Sequence, residues 1–172
     1  RFNSDGTKLF IINKTNETIY QYSLSSAFDI SSSSYDNVSL TVTDPEENPT
    51  GLNFNNDGTK MYVVGLTGDA VFQYTLTAGF DLSTASYDNV SFSVSSQETG
   101  PRDVCFNNDG TKMYILGVDA DAVFQYSLSS AFNVGTASYD SVSFSVSSQD
   151  TVPEGMTFNA DGTKLFIVGR TG

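Results

Sequence analysis

The apolar residues of this chain occur in short runs that Gly, Asp, Asn and Ser separate. Gly51–Phe54 alternates in polarity, and Met61–Val64 is continuously apolar. Val71–Leu76 alternates with its large side chains on one side, and Val90–Ser95 alternates strictly between apolar residues and serines. Runs of this length predict β-strands, and the continuous one predicts a strand covered on both faces. The serine-alternating run is typical of a strand with one face in solvent. We call these predicted strands a, b, c and d.

The same pattern returns along the chain at a fixed step of 52 residues. Phe2–Lys8 recurs as Phe54–Lys60, Phe106–Lys112 and Phe158–Lys164. Each copy contains an Asp-Gly pair between strands a and b, which predicts a tight hairpin turn. Four strands per repeat predict an all-β fold, a β-propeller with four-stranded antiparallel blades. A β-solenoid is the alternative, although its rungs are usually shorter and lack tight antiparallel hairpins.

The repeats predict about three and a quarter blades in a single repeat domain, residues 1–172, with 13 strands. Residues 1–48 correspond to a first blade without most of strand a, and residues 153–172 to the first hairpin of a fourth. Residues 49–100 and 101–152 correspond to complete blades. Because both ends already contain strand b, they cannot complete one shared blade. We therefore expect a fragment of a larger propeller, with further blades in the parent chain, or self-association through the open blade edges.

One segment resembles a known family. Pro101–Ile115 is similar to the P-x-G-x-x-F-x-x-D-G-x-x-x-Y-V core of the YVTN and lactonase-like propellers. The repeats also resemble uncharacterised propeller repeats in secreted and virion-surface proteins of marine bacteria and their phages. The resemblance covers the whole chain, repeat by repeat, and its core marks the blade scaffold without any catalytic residue. It implies an extracellular location or one on a cell or virion surface.

Composition narrows the classes of function. The 172 residues include 20 acidic and eight basic side chains, with a net charge of −12 and no histidine. This charge argues against binding a nucleic-acid backbone, and no apolar stretch is long enough for insertion into a membrane. The single cysteine, Cys105, excludes a disulfide framework, and the lack of histidine excludes most transition-metal sites and His-based catalysis. We expect no catalytic residue, no cofactor and no metal site.

Two connections differ between copies, whereas the a–b turn is nearly constant. In a four-stranded meander the d–a link and the b–c loop lie on one rim of the disc, and a variable rim on a rigid scaffold is typical of a binding face. The alternative is that these surface loops vary without a function. The candidate ligand-binding residues on this rim are Glu17, Thr50, Asp69, Arg102, Asp103, Asp121 and Glu154.

Other polar residues recur at equivalent positions. Two acidic sets would form circles of carboxylates in a closed ring and could hold cations or accept hydrogen bonds from sugar hydroxyls; the alternative is solubility and self-repulsion. A glutamine inside each strand c needs a polar partner, which predicts a hydrogen bond between blades. The acidic sets are Glu17, Asp69 and Asp121, and Glu46, Glu98 and Asp150; the glutamines are Gln21, Gln73 and Gln125.

The near-identical repeats, the acidic charge and the variable rim together favour a non-enzymatic binding module whose ligand is a glycan or another protein. Part of a lactonase-like hydrolase is one alternative, and it rests only on the resemblance of the repeat core. A purely structural spacer is the other.

Overall fold

Thirteen antiparallel β-strands form the chain in the computed structural model, which describes residues 1–171. They build sheets of three, four, four and two strands, and in each sheet the strands that follow one another in sequence are paired. The predicted all-β propeller arc and its 13 strands are confirmed. The strands are β1 Lys8–Asn13, β2 Thr18–Leu24, β3 Ser33–Thr41, β4 Pro49–Phe54, β5 Lys60–Gly65, β6 Ala70–Leu76, β7 Ala85–Ser93, β8 Pro101–Phe106, β9 Lys112–Gly117, β10 Ala122–Leu128, β11 Ala137–Ser145, β12 Pro153–Phe158 and β13 Leu165–Gly169.

Strand a of each blade lies beside strand a of the next, so β4, β8 and β12 follow one another along the inner side of the arc. The Asn53 amide on β4 donates to the Val104 carbonyl on β8 at 2.9 Å. Strand d lies at the other edge of the three sheets that contain it, and in β7 the serines are exposed while Val90 and Phe92 are half-buried. The predicted solvated character of strand d is therefore confirmed.

The predicted start of strand d was wrong. We expected Val90–Ser95, but β7 begins at Ala85 and ends at Ser93. The register between β6 and β7 shifts between Gln73 and Tyr74, and Asn89 in the bulge has a left-handed φ of 56°. Two residues, Asp88 and Asn89, have no partner on β6, and this irregularity interrupts the alternation of side chains. The first half of the strand therefore did not continue the polarity pattern of the second half.

The core lies between the blades, because strand b presents alternate side chains to its two neighbours. Phe10 of β1 packs on Phe54 of the next blade with ring centroids 4.6 Å apart, and Tyr62 of β5 packs on Phe106 at 4.4 Å. Met61 and Val63, the alternate residues of β5, are buried in the cluster that faces the preceding blade. Each interface therefore needs a blade on both sides to exclude water.

A polar network crosses the interface between the first and second blades and the interface between the second and third blades. Gln21 Oε1 accepts from the Leu82 N–H at 2.8 Å, and Gln73 Oε1 accepts from the Val134 N–H at 3.0 Å. These donors belong to short 3₁₀ helices of the following blade, Leu82–Thr84 and Val134–Thr136. The predicted hydrogen bond between blades is therefore confirmed for both glutamines.

The Nε2 group of each glutamine donates to an aspartate carboxylate. The same aspartate forms an ion pair with a lysine. This arrangement occurs three times, and the Lys Nζ to Asp Oδ2 distances are 2.7–2.9 Å. The sets are Lys8, Asp36 and Gln21; Lys60, Asp88 and Gln73; and Lys112, Asp140 and Gln125.

We expect this network to make the free energy of unfolding depend on pH in the acidic range. Desolvation alone raises the pKa of Asp140, but hydrogen bonds from Lys112, Ser127 and Gln125 outweigh it and lower the pKa to about 2. A group whose pKa is lower in the folded state stabilises the fold above its unfolded pKa of about 3.9. This contribution is lost as the pH falls from about 4 towards 2. Urea denaturation should therefore show a stability difference between the native chain and Asp140→Asn that shrinks over this interval.

Glu47→Gln is the control for this prediction, because Glu47 is exposed. A difference between the native chain and Asp140→Asn that stays constant from pH 6 to pH 2 would contradict the role of the Asp140 carboxylate.

Candidate functional site

A cleft of about 510 Å³ opens on the inner side of the arc, between β1 and the inner strands. Thr50, Asp103 and Glu154 line it together with Arg1 and residues 9–12 and 51–52. These three residues come from consecutive copies of strand a, which lie side by side although they are about 50 residues apart in sequence. The structure therefore brings together three of the seven predicted ligand-binding residues.

Asp103 is the charged residue most deeply placed in this cleft. Its Oδ2 accepts from the Met156 N–H at 2.9 Å and its Oδ1 from the Val104 N–H at 2.9 Å. The Arg1 guanidinium lies 3.7 Å from Oδ1. Burial raises the pKa of Asp103, and Arg1 and the two N–H donors oppose that shift. The equivalent residues are Gly51 and Gly155, so Asp103 adds a carboxylate that the other inner strands lack.

The position after the repeated proline differs in chemical character between blades. Thr50 Oγ1 donates to the Pro101 carbonyl at 2.9 Å, and Glu154 Oε1 lies 2.9 Å from the exposed Arg170 guanidinium. Arg102, at the same position in the third blade, is not among the residues that line the cleft. Its Nε is buried and finds no hydrogen-bond partner in residues 1–171. Equivalent positions therefore place a hydroxyl, a cation and a carboxylate next to one another.

The three predicted residues of the b–c loops lie outside the lining of this cleft. Glu17, Asp69 and Asp121 are half-buried and have left-handed φ values of 52°, 44° and 47°. The backbone carbonyl of each of these residues accepts a hydrogen bond from the N–H group of the residue directly after strand d. These donors are Val42, Val94 and Val146. The pKa of Asp69 is raised by desolvation and then by the nearby carboxylates of Glu46 and Asp119. These residues close the b–c turns and leave part of each side chain at the rim.

The expectation for Glu46 and Glu98 of the second acidic set was wrong under both of its interpretations, because both side chains are buried. Glu46 is fully buried, and its carboxylate accepts hydrogen bonds from the N–H groups of Asn48, Thr67 and Gly68 at 2.7–3.0 Å. Glu98 is buried in the same way and accepts from three N–H groups at 2.6–3.1 Å. Each carboxylate holds the d–a link against the b–c loop of the following blade, so neither is an open site for cations or sugars.

Other chemistry in the described chain is limited. No group of three or more His, Cys, Asp or Glu side chains in residues 1–171 is arranged to hold a metal ion. Cys105 is buried beside Met156, and burial raises the pKa of its thiol, so it packs as a small apolar side chain. Residues 1–171 include no helix whose length and apolar character would let it cross a membrane.

The fold is similar to that of several solved structures. A candidate 6-phosphogluconolactonase from Bacteroides fragilis aligns with a TM-score of 0.62 and 16% identity, over 85% of this chain and 38% of its own. The periplasmic gluconolactonase PpgL of Pseudomonas aeruginosa aligns with a TM-score of 0.64 and 15% identity, over 98% of this chain and 46% of its own. A functionally unknown protein from Desulfotomaculum acetoxidans aligns with a TM-score of 0.64 and 17% identity, over 98% of this chain and 50% of its own.

These neighbours include lactonase-like β-propellers, and identities this low show the fold alone. The chain spans half or less of the length of these three structures. No protein-family model and no curated protein matches the chain.

Proposed function

We propose that this propeller arc is a non-enzymatic binding module and that its inner cleft holds a glycan. The observation behind this proposal is that Thr50, Asp103 and Glu154 converge on one cleft although the scaffold around them repeats almost unchanged. A ligand site on a repeated scaffold is expected where the copies differ and the side chains converge.

The chemistry of the cleft suits a ligand with many hydroxyl groups. Carboxylates of Asp103 and Glu154 can accept hydrogen bonds from sugar hydroxyls, and the Thr50 hydroxyl can donate or accept. Leu9, Ile12 and Leu52 add apolar wall that the C–H face of a sugar ring can cover. The rim residues Glu17, Asp69, Arg102 and Asp121 are proposed as secondary contacts for the parts of a longer ligand outside the cleft.

We also propose that the protein lies outside the cytoplasm, on a cell or virion surface. It is supported by the acidic composition and by the periplasmic gluconolactonase among the structural neighbours. A protein is the alternative ligand for the same rim.

The test is binding of the 172-residue chain to an array of bacterial and eukaryotic glycans. We expect one glycan class to bind, and Glu154→Gln to weaken that binding at least tenfold by removing a charged acceptor. Glu47→Gln, an exposed acid that does not line the cleft, should bind as the native chain does. Binding that Glu154→Gln, Asp103→Asn and Thr50→Val all leave unchanged would refute the cleft as the site.

A lactonase-like activity is the second candidate, and the named structural neighbours favour it. Turnover of gluconolactone or 6-phosphogluconolactone by this chain, abolished by Asp103→Asn, would replace the binding proposal. We expect no turnover above the uncatalysed rate.

A further inference from the structure

Arg102 on β8 is a half-buried cation to which residues 1–171 provide no partner. Its Nε is buried without a hydrogen bond, and none of the five ion pairs in residues 1–171 includes its guanidinium. Because a buried donor without an acceptor costs free energy, native folds retain few of them, and functional sites are one place where they occur. Strands β4 and β12 lie on either side of β8, so the inner strands next to Arg102 are both present and neither supplies an acceptor.

Arg102 occupies a bulge at the start of its inner strand. The register between β8 and β9 shifts between Pro101 and Asp103, so Arg102 has no partner residue on β9. The same shift occurs at the equivalent positions, Thr50 and Glu154. Bulges are frequent next to functional sites, where they change the direction of a side chain. The scaffold thus places one differing side chain per blade at the same irregular position.

The carboxylates near Arg102 are already neutralised by other groups. Asp103 accepts from two backbone N–H groups and lies 3.7 Å from Arg1, and Glu154 lies 2.9 Å from Arg170. The chain has no other arginine, so all three of its guanidinium groups accompany these two carboxylates at the inner strands. A chain with a net charge of −12 therefore has a local excess of positive charge at Arg102.

We propose that the glycan is acidic and that Arg102 binds its oxyanion group, which is a carboxylate, a sulfate or a phosphate. This inference rests on the proposed function, because it assigns a chemical class to the ligand of the same site. A guanidinium presents its donors in a planar fork, which matches the paired oxygens of such groups. Asp103, the next residue, lines the cleft, as does Thr50 of the neighbouring inner strand. The sugar hydroxyls therefore lie in the cleft, and the anionic group lies beside it at Arg102.

A single arginine among the three equivalent positions also orients the ligand. Thr50 Oγ1 donates to the Pro101 carbonyl, and Glu154 presents a carboxylate that repels an oxyanion. The anionic group is thus accepted at one blade only. The glycan binds in one orientation although the scaffold around it repeats.

The first test uses pairs of glycans that differ only in the anionic group. The pairs are oligogalacturonate and its carboxyl-reduced form, sulfated and unsulfated dextran oligosaccharides, and phosphorylated and dephosphorylated oligomannose. We expect isothermal titration calorimetry of the 172-residue chain to show the anionic member of one pair binding at least tenfold more tightly than its neutral member. The pair that shows this difference identifies the oxyanion.

Substitutions then assign the difference to one residue. Arg102→Gln should lower the affinity for the anionic member to that for the neutral one, and Arg102→Lys should retain part of the difference, because it keeps the charge without the fork. Lys14→Gln is the matched control, since Lys14 is an exposed cation in the first b–c loop, and it should bind as the native chain does. Equal weakening by Arg102→Gln and Lys14→Gln would indicate a general effect of charge and overturn the role of Arg102.

The outcomes separate this inference from the proposed function. A native chain that binds the neutral members as tightly as the anionic ones would overturn the acidic ligand and leave glycan binding in place. A native chain that binds neither these glycans nor any on the array would overturn both.

Thermal denaturation distinguishes a binding role of Arg102 from a structural one. Without glycan, Arg102→Gln should unfold at the same temperature as the native chain or higher, because the substitution breaks no hydrogen bond and removes an unpaired charge from a half-buried site. The anionic glycan should raise the unfolding temperature of the native chain more than that of the variant. A variant that unfolds at a lower temperature yet keeps the native affinity would assign Arg102 to the fold and overturn the proposal.

Discussion

Replacement of Glu46 by alanine is expected to destabilise the fold by about 3–5 kcal/mol, because three backbone N–H groups lose their only charged acceptor in a buried site. Asn48, Thr67 and Gly68 donate to this carboxylate at 2.7, 3.0 and 3.0 Å. An unsatisfied buried donor costs about 1–3 kcal/mol, and the cavity left by the side chain adds to the loss. Chemical denaturation of the full chain measures the effect.

Glu47→Ala is the matched control, since the neighbouring carboxylate is exposed and its removal should change stability by less than about 0.5 kcal/mol. Hydrogen exchange gives a local measurement. The amides of Thr67 and Gly68 should exchange faster in Glu46→Ala, whereas those of Asp119 and Ala120, which Glu98 holds, should keep their protection. If Glu46→Ala and Glu47→Ala have equal stability, Glu46 does not hold the loop.

The strands were predictable because their signals are local and occur three or four times. Each signal depends only on neighbouring residues, as in the Asp-Gly turn, the apolar run of strand b and the serine alternation of strand d. Each also recurs in several copies, which strengthens the prediction. The role of Glu46 was not predictable from these patterns, because its donors at Thr67 and Gly68 are 21 and 22 residues further on. One clue existed, which is that strand b ends in Gly65, Gly117 and Gly169. A side chain at Gly117 would overlap the carboxylate of Glu98.

The candidate site was predictable only in part for the same reason. Comparison of the copies identified Thr50, Asp103 and Glu154 as the positions where the repeats differ, and the stacking of strand a brought these three together. The cleft walls at residues 9–12 were missed, because they belong to an ordinary strand b whose sequence does not distinguish an open blade edge from a covered one. The turn acids Glu17, Asp69 and Asp121 showed the converse problem, since a left-handed backbone favours short polar residues whether or not they bind a ligand.

Replacement of Gly110 by alanine is expected to cost about 3 kcal/mol, for two separable reasons. Its φ of 71° is left-handed, which costs a residue with a Cβ about 1–2 kcal/mol. In addition, the Cβ would overlap the ring of Phe132, which covers this turn and whose N–H donates to the Gly110 carbonyl at 2.9 Å. Overpacking of this kind typically costs a further 1–3 kcal/mol. Urea denaturation of the variant measures the sum.

Gly162 separates the two terms, because it has the same φ of 71° in the equivalent turn and no atom within 4 Å of the position where a Cβ would lie. Gly162→Ala should therefore cost only the backbone term, about 1 kcal/mol. Gly110→Ala introduced together with Phe132→Ala should recover the steric part, giving a coupling energy of about 1–2 kcal/mol in the double-mutant cycle. Equal losses for Gly110→Ala and Gly162→Ala would show that the glycine is required by the backbone alone. The expected inequality would show that the near-constant Asp-Gly turn is kept for two reasons, its conformation and the aromatic side chain that packs over it.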